Sequence, residues 1–258
     1  MRLELEHFSK HEHEFVTKVN DWIQQVYNHY KIKRTKFLTP REQQIVQILI
    51  NEYNDINVQF IGGFKDAERK RAIIIPSYLS DSTFNQTVVG YEVVYPVRHV
   101  TLEHRQILGS LTALNIDRAL IGDILVLESG KIFIAICEEF SSFIVQHFTK
   151  VGRHNIKLVE TEINDLQRIE QYQTDEYIVS SMRLDVVVAN LMKASRSQVF
   201  EYIKQGNVHL NFKLEQNHSY QCQLGDVISI KRYGRYKLLD QKSTTKSGRV
   251  VVIIGKTV

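Results

Sequence analysis

The sequence contains little cysteine and no long hydrophobic run, and each of these absences argues against a class of protein. Its 258 residues include two cysteines, Cys137 and Cys222, which lie far apart and in no CxxC spacing. This pattern indicates neither a disulfide framework nor a zinc site. No apolar run approaches the length of a membrane span, and the charged start, Met1 to His7, lacks the apolar core of a signal peptide. We therefore expect a cytoplasmic protein without a membrane span.

Motifs of enzyme active sites are also missing. The sequence has no GxGxxG loop, no P-loop and no nucleophile elbow, and the Gly62-Gly63 pair has no phosphate-loop context. Asp123 is interpreted as a turn residue before a strand. Asp185 lies in an Arg-Leu-Asp triplet similar to the catalytic aspartate motif of some pseudouridine synthases, but its place at the start of a predicted helix explains it without chemistry. No catalytic residue and no cofactor are predicted.

Three histidines near the start of the chain have a spacing that metal ligands can have. A metal site needs three or four converging ligands with an ordered second shell. These histidines stand among glutamates with no second cluster elsewhere, so an exposed polar helix start is favoured and no metal site is predicted. The residues concerned are His7, His11 and His13.

Positive charge is concentrated at one end of the chain. Residues 182–258 hold 13 Lys and Arg against 5 Asp and Glu, a net charge of +8, whereas residues 1–181 hold 20 against 24, a net charge of −4. A localised basic region on a nearly neutral body is typical of nucleic-acid binding, although attraction to a membrane surface would look similar. With 43% hydrophobic residues, the chain can bury more than one core.

The basic region begins with two short predicted helices. Apolar residues from Leu184 to Leu191 recur at i, i+3, i+4 and i+7, which predicts a helix packed on one face. Ser195 is a predicted N-cap for a second helix from Arg196 to about Gln205, and Gly206 suits the left-handed position after it. Strands are expected after Gly206, where apolar and polar residues alternate.

The N-terminus of the second predicted helix is the expected site of phosphate binding. Lys193 and Arg196 stand at the helix start, and Lys204 is expected to join them on an outer face that it shares with Ser197. A helix N-terminus adds a partial positive charge and free N–H groups, so this corner favours phosphate oxygens. The basic and aromatic tail is a further candidate. The predicted RNA-binding residues are Arg183, Lys193, Ser195, Arg196, Ser197, Lys204, Asn211, Lys213, Lys231, Arg232, Tyr233, Arg235 and Tyr236.

The order of these motifs from Arg183 to Ile230 resembles the S4-like (αL) RNA-binding domain, a module of a ribosomal protein and of several RNA-acting enzymes. Phe212 stands where that family usually has glycine in a hairpin turn. For the two tail tyrosines, base stacking and packing in the core are equally favoured.

Two further domains are predicted before the S4-like domain, which gives a three-domain α+β protein. Residues 1–78 are expected to form a small α/β domain with helices through Trp22 and Ile45, and with a capping box at Thr39-Pro40-Arg41-Glu42. Residues 79–165 show the strand and helix order of a split βαβ, RRM-like domain. The strand Lys131–Ile136 lacks the full glycine and aromatic signature of base stacking, so a scaffolding or ribosome-contact role is favoured for this domain. Residues 166–181 are expected to be a linker and residues 182–258 the S4-like domain.

The residues before the basic region extend the resemblance. Gly62-Gly63-Phe64, His104 to Leu111, Ile121 to Ile124 and the tail Ile230 to Tyr236 resemble the YlmH family, S4-domain proteins commonly encoded beside bacterial cell-division genes. Gln106 stands where an acidic residue is common. Asn115 and Arg232 stand where glycine is common.

Membership of this family would imply association with ribosomes. We therefore predict a non-catalytic protein that binds rRNA and tRNA on the large ribosomal subunit in quality control of stalled nascent chains, and that is a monomer off the ribosome. An RNA-modifying, pseudouridine-synthase-like enzyme with its active site in the first two domains is one alternative. A cell-division adaptor that binds division proteins is another. A basic run from Lys65 to Arg71 is a weaker candidate for RNA contact, since such runs are usually solvated.

Overall fold

The computed structural model describes residues 5, 8–79, 87–167, 172–245 and 248–257. The chain divides into two compact units, residues 1–168 and residues 169–258. Both units combine helices and sheets, so the predicted α+β class is confirmed. Among the described residues, no helix has the length and apolar character needed to cross a membrane.

The first unit begins with a three-stranded antiparallel sheet and two helices. Its elements are α1 (His13–His29), β1 (Lys33–Leu38), α2 (Pro40–Ile50), β2 (Ile56–Ile61) and β3 (Lys70–Pro76), with strand order β1-β3-β2. The predicted capping box is present, since Thr39 accepts a hydrogen bond from the Glu42 amide and Glu42 accepts one from the Thr39 amide. Both helices pack on the sheet through residues such as Ile23 and Ile45.

A four-stranded antiparallel sheet follows in the same unit. The elements are β4 (Val88–Val94), α3 (His104–Thr112), β5 (Ile121–Val126), β6 (Ile132–Cys137), α4 (Ser141–His147), β7 (Lys150–Val151), β8 (His154–Asn155) and β9 (Lys157–Glu160). The order β5-β6-β4-β9 is that of a split βαβ arrangement, and the predicted succession of elements is observed. The short β7–β8 hairpin was not predicted.

The face of this sheet that carries no helix is covered by the first part of the chain. Along β6, Ile132 and Ile134 point to the helices, whereas Phe133 and Ala135 lie in a separate apolar cluster with Phe37. Phe64, Ala67 and Ile163 belong to the same cluster. An RRM stacks bases on this face of its sheet. Here the face is filled by the protein itself, so base stacking on it is blocked.

Asp123 lies within a strand, not in the turn that the sequence suggested. It belongs to β5 and is 7% exposed, at a place where the pairing of β5 with β6 is irregular. Its carboxylate accepts hydrogen bonds from the backbone amides of Glu68 (2.6 Å) and Arg69 (3.2 Å). Asp123 therefore fixes the loop before β3, which lies far away in sequence.

Arg71 ends the basic run and is buried rather than solvated. Its side chain is 3% exposed and binds both carboxylate oxygens of Glu139, at 2.8 and 2.6 Å. It also donates to the carbonyl oxygens of Thr35 (2.7 Å) and Thr87. This arginine joins the two sheets of the first unit and is not accessible to RNA.

The second unit has two helices on one face of a six-stranded sheet. Its elements are β10 (Tyr172–Val179), α5 (Leu184–Met192), α6 (Arg196–Lys204), β11 (Val208–Leu210), β12 (Lys213–Leu214), β13 (Val227–Ile230), β14 (Gly234–Thr244) and β15 (Val250–Thr257), in the order β10-β15-β14-β13-β11-β12. The expected linker is wrong in part, because Tyr172–Val179 pairs along its whole length with β15. Its polar composition reflects an exposed edge strand, since most of its side chains are exposed.

Candidate nucleic-acid interface

The hairpin of α5 and α6 forms as the sequence indicates. Leu184, Val187, Val188 and Leu191 are all buried against the sheet. Lys193 ends α5 in a left-handed conformation, with φ of +51°. Ser195 caps α6 by accepting a hydrogen bond from the Gln198 amide, and the Gln198 side chain accepts one from the Ser195 amide. The two helices are thus joined by a tight turn.

The start of α6 forms a polar, cationic corner, which we call the helix corner and define as Lys193, Ser195, Arg196 and Ser197. All four residues are exposed. The hydroxyl oxygens of Ser195 and Ser197 lie 3.1 Å apart. Two cations, two hydroxyls and the positive end of the helix dipole meet here, an arrangement suited to phosphate.

Asp185 organises the arginines around this corner. It is 4% exposed and accepts two hydrogen bonds from Arg183, both of 3.1 Å, and one from Arg196 of 2.7 Å. Burial alone would raise the pKa of Asp185, but the hydrogen bonds from Arg183 and Arg196 hold this pKa below its usual value. The carboxylate thus serves as a shared anchor. Sequence reasoning missed this role, because the contact between Asp185 and Arg196 depends on the packing of two helices.

Lys204 does not join the helix corner. It is the last residue of α6, roughly 12 Å along the helix axis from Arg196 at a rise of about 1.5 Å per residue. Its carbonyl oxygen accepts a hydrogen bond from the Gln216 side chain. The predicted grouping of three cations is therefore wrong, and the corner has two.

The turn between β11 and β12 uses its asparagine internally. Asn211 and Phe212 both have positive φ, at +48° and +67°. The Asn211 amide donates to Asp226 (2.8 Å), and its oxygen accepts from the Val227 amide (2.9 Å). Asn211 therefore stabilises the turn, whereas Lys213 follows on the edge strand β12.

The turn between β13 and β14 lies beside α6. The Tyr202 hydroxyl donates to the carbonyl oxygen of Lys231, and the rings of Tyr202 and Tyr233 meet edge to face at 6.2 Å. Lys231 and Arg232 are exposed, and Arg232 has a φ of +69°. This turn and Lys204 therefore form a second basic region near the end of α6.

The two tail tyrosines have different environments. Tyr236 is 5% exposed and lies in the core of the unit, so its ring cannot stack on a base. Tyr233 is 39% exposed. Arg235 points away from the helices, and its guanidinium lies 4.9 Å from the centre of the Phe212 ring. The thirteen predicted residues therefore do not form one continuous site.

The two cysteines have the character of core residues. Cys137 and Cys222 are both buried, and burial raises the pKa of the Cys137 thiol to about 11 and that of Cys222 to about 12. Within the described part of the chain, no three metal-ligating side chains converge. His7 of the predicted histidine group lies outside the described residues.

Comparison with known families accounts for most of the chain. Residues 11–79 match a model described as "YlmH, N-terminal", residues 81–165 one described as "Putative RNA-binding domain in YlmH", and residues 182–228 the S4 domain. The S4 match ends before β14, so the long hairpin of β14 and β15 lies beyond it.

Two relatives match longer stretches of the chain than the single-domain models do. The chain is 31% identical over 245 residues to "Ribosome-associated protein quality control protein P2" of Bacillus subtilis, covering 95% of each. A solved structure, "Cell division protein ylmH from Streptococcus pneumoniae", is 29% identical with a TM-score of 0.52, over 60% of this chain and 93% of that one. On these matches, the chain belongs to the YlmH family of S4-domain proteins.

Proposed function

We propose that this protein is a non-catalytic RNA-binding factor that contacts rRNA and tRNA on the large ribosomal subunit during quality control of stalled nascent chains. The observation that carries the proposal is the helix corner, where Lys193, Arg196 and two hydroxyls surround the start of α6. The name of the Bacillus subtilis relative supports the ribosomal setting. The protein would act in the cytoplasm and be a monomer off the ribosome.

Phosphate contact at the helix corner would be electrostatic and would not read base sequence. Such contacts fix orientation on an RNA, whereas sequence is read elsewhere. The two basic regions of the second unit, at the helix corner and near the end of α6, would hold a folded RNA surface from two sides. A structured ribosomal RNA offers phosphates in such an arrangement.

Two other functions have less support. An RNA-modifying enzyme would need a reactive group in the first unit, but Asp123 there is 7% exposed and accepts hydrogen bonds from the backbone amides of Glu68 and Arg69. Asp185 of the Arg-Leu-Asp triplet is also buried, and it is held by Arg183 and Arg196. A cell-division adaptor is suggested by the name of the Streptococcus pneumoniae relative. The three functions differ in one respect, since only the ribosome factor requires stable binding to large subunits.

Sedimentation of the full chain with purified large subunits tests this proposal. Ser197→Asp is the most informative variant: an acidic side chain in the first turn stabilises the helix by about 0.3–1 kcal/mol but repels phosphate. Lys193→Asn removes a charge with a residue that tolerates positive φ. Lys242→Gln is the matched control at the far end of β14. Loss of cosedimentation for the first two variants, and not for the control, supports the proposal; wild-type cosedimentation of all three would overturn it.

A further inference from the structure

The second turn of α6 carries an aromatic ring at the protein surface. Phe200 is 39% exposed, whereas Val199 and Ile203 of the same helix are fully buried. A single exposed apolar side chain is common in folded proteins, so exposure alone does not indicate a binding site. The surroundings of the Phe200 ring are what distinguish it.

The loop of residues 215–226 runs along the side of α6 on which Phe200 lies. Near the end of the helix, the Gln216 side chain donates a hydrogen bond to the Lys204 carbonyl oxygen (2.9 Å). One turn earlier, the His218 ring meets the Phe200 ring edge to face, with 4.8 Å between the ring centres. The His218 carbonyl oxygen then accepts a hydrogen bond from the Asp185 amide (3.0 Å). These hydrogen bonds hold the loop on both sides of the two rings, which we call the ring pair.

Two cations flank the ring pair along the helix. Arg196, Phe200 and Lys204 follow one another at intervals of four residues, so they share one side of α6 and lie about 6 Å apart along its axis. The Arg196 side chain is 62% exposed despite its contact with Asp185, and Lys204 is exposed as well. An exposed ring therefore lies between two accessible positive charges.

Asp185 connects the ring pair to the helix corner. Its backbone amide donates to His218, and its carboxylate accepts hydrogen bonds from Arg183 and Arg196. The ring pair and the two arginines are thus fixed to the same residue. A nucleotide that reached the helix corner would have its base close to the two rings.

The acidic residues closest in sequence do not oppose an RNA strand at this place. Glu201 follows Phe200 in the helix and points about 100° away from it around the axis. Glu215 precedes His218 in the loop, and its carboxylate accepts a hydrogen bond from the Asn217 amide (2.8 Å).

The ring pair is separate from the exposed ring of Tyr233. Tyr202 lies two residues after Phe200, and residues at this spacing do not share a helix face. It meets Tyr233 edge to face at 6.2 Å, beside the turn between β13 and β14. Phe200 and Tyr233 therefore belong to different sides of α6 and can be tested independently.

We propose that the ring pair of Phe200 and His218 holds one unpaired base of the bound RNA, with the neighbouring phosphates on Arg196 and Lys204. Bases outside a duplex are recognised by stacking on aromatic side chains such as phenylalanine and histidine. Aromatic rings interleaved with cations are also the combination that binds single strands. The proposal rests on the RNA-binding function proposed above. It adds the class of RNA element, which is a nucleotide in a loop, a bulge or a free end.

Binding of a fluorescently labelled, single-stranded RNA of mixed sequence by the full chain tests the ring pair. Phe200→Leu removes the ring but keeps an apolar residue that favours a helix. Loss of one stacked base should weaken binding roughly 5- to 150-fold. The salt slope should not change, because no charge is removed. Phe200→Trp keeps an aromatic face and should bind like the wild type.

Two further variants complete the test. Ile178→Ala is the matched control, since Ile178 is 55% exposed and its neighbour Val179 is buried, which places Ile178 on the side of the sheet away from the helices. It should bind like the wild type. Lys204→Gln should make the salt slope shallower by about 0.7, the value for one phosphate contact on a single strand. Circular dichroism verifies that each variant is folded.

The results separate this proposal from the function proposed above. The ring pair is not a base platform if the wild type does not bind the single strand, if folded Phe200→Leu binds it with wild-type affinity, or if Phe200→Trp or Ile178→Ala weakens binding as much as Phe200→Leu does. An unchanged salt slope for Lys204→Gln would overturn the phosphate contact at Lys204. The ribosomal function stands in all these cases as long as Ser197→Asp loses large-subunit association. Conversely, if Ser197→Asp and Lys193→Asn cosediment like the wild type while Phe200→Leu loses affinity for the single strand, the ribosomal function fails and the ring pair remains.

Discussion

Arg196 and Asp185 form a 2.7 Å ion pair that ties the first turn of α6 to the first turn of α5. Arg196 is 62% exposed and Asp185 6% exposed at their side chains, so the pair reaches from the surface into the core. An arginine expected to bind phosphate thus also holds a helix in place. Reversing its charge would put two carboxylates together, so Arg196→Glu is a poor test of RNA binding.

Asp185→Asn should destabilise the second unit by about 1–3 kcal/mol, because it removes charged hydrogen bonds to Arg183 and Arg196. The folded-state pKa of Asp185 is lowered. Its contribution is therefore complete above the unfolded pKa of about 3.9 and is lost as the pH falls through the folded pKa.

The difference between wild type and Asp185→Asn should consequently be constant above about pH 5 and shrink below about pH 4. Hydrogen exchange of the α5 amides, measured across this range, reports on the second unit alone. A difference that grows on acidification would contradict the assignment.

Glu139→Gln should destabilise the first unit by more than the exposed position of the Glu139 side chain suggests. Glu139 is 54% exposed, but its partner Arg71 is 3% exposed and would be left as a buried cation. Breaking such a pair from one side costs about 3–5 kcal/mol when both groups are buried, so about 2–3 kcal/mol is expected here. The single tryptophan, Trp22, lies in this unit, and its fluorescence during urea unfolding measures the effect. Glu138→Gln is the control, and an equal effect of both changes would count against the prediction.

Local sequence signals predicted the helices and their caps, because a cap such as Ser195 or Thr39 depends on residues three positions away. Contacts between distant segments were not predictable in the same way. Asp123 accepts hydrogen bonds from the backbone amides of Glu68 and Arg69, which lie more than fifty positions earlier in the sequence. Arg71 donates hydrogen bonds to Glu139, which lies 68 positions later. In both cases, the residues that flank one partner in the sequence carry no signal that identifies the other partner.

The edge strand β10 was missed for a different reason. Its sequence is polar because most of its side chains face solvent, and such a composition also fits a linker. The orientation of the predicted site residues was also not predictable from composition. Strand alternation places Arg235 and Tyr236 on opposite faces of the sheet, but only the strand pairing and the packing show that Tyr236 is the one facing the helices.

The fragment 169–258 should fold on its own, whereas 182–258 should be less stable. The shorter fragment loses β10, which pairs with β15 from Tyr172 to Val179 and contributes the fully buried Val179 to the core. Burying one valine contributes about 1.5–3 kcal/mol, which corresponds to at least about 5 °C in melting temperature for a domain of this size. Thermal unfolding followed by circular dichroism measures this difference. Equal melting temperatures would mean that β10 is not part of the folded unit.

Arg232→Gly should stabilise the second unit by roughly 0.5–1 kcal/mol. Arg232 has a φ of +69°, in the left-handed region of the backbone. This conformation costs a residue with a side chain about 1–2 kcal/mol and costs glycine little. Glycine also gains conformational freedom in the unfolded chain, which offsets part of the stabilisation. If Arg232 contacts phosphate, the same change should reduce the salt dependence of large-subunit binding. Arg232→Asn should lie between the two in stability. Destabilisation by glycine would show that the arginine side chain contributes packing that outweighs its backbone strain.

Tyr233 and Tyr236 should respond differently to replacement by leucine. Tyr236 is 5% exposed, donates a 3.2 Å hydrogen bond to the carbonyl oxygen of Tyr233 and packs with Leu238 in the core. Tyr236→Leu should therefore lower the melting temperature. The folded fraction of this variant should bind RNA with wild-type affinity. The loss of a buried ring edge and one hydrogen bond amounts to about 1–3 kcal/mol.

For Tyr233 we expect an effect on RNA binding and not on stability, because its ring is 39% exposed and meets the Tyr202 ring edge to face. Tyr233→Leu should leave the melting temperature close to that of the wild type. If a base stacks on this ring, affinity for large subunits falls by about 1–3 kcal/mol at an unchanged salt slope, since no charge is removed. Titrations at several salt concentrations, beside melts of both variants, separate the two roles. A Tyr233→Leu protein that melts early and binds normally would assign this ring to packing as well, leaving the turn to act on RNA through Lys231 and Arg232 alone.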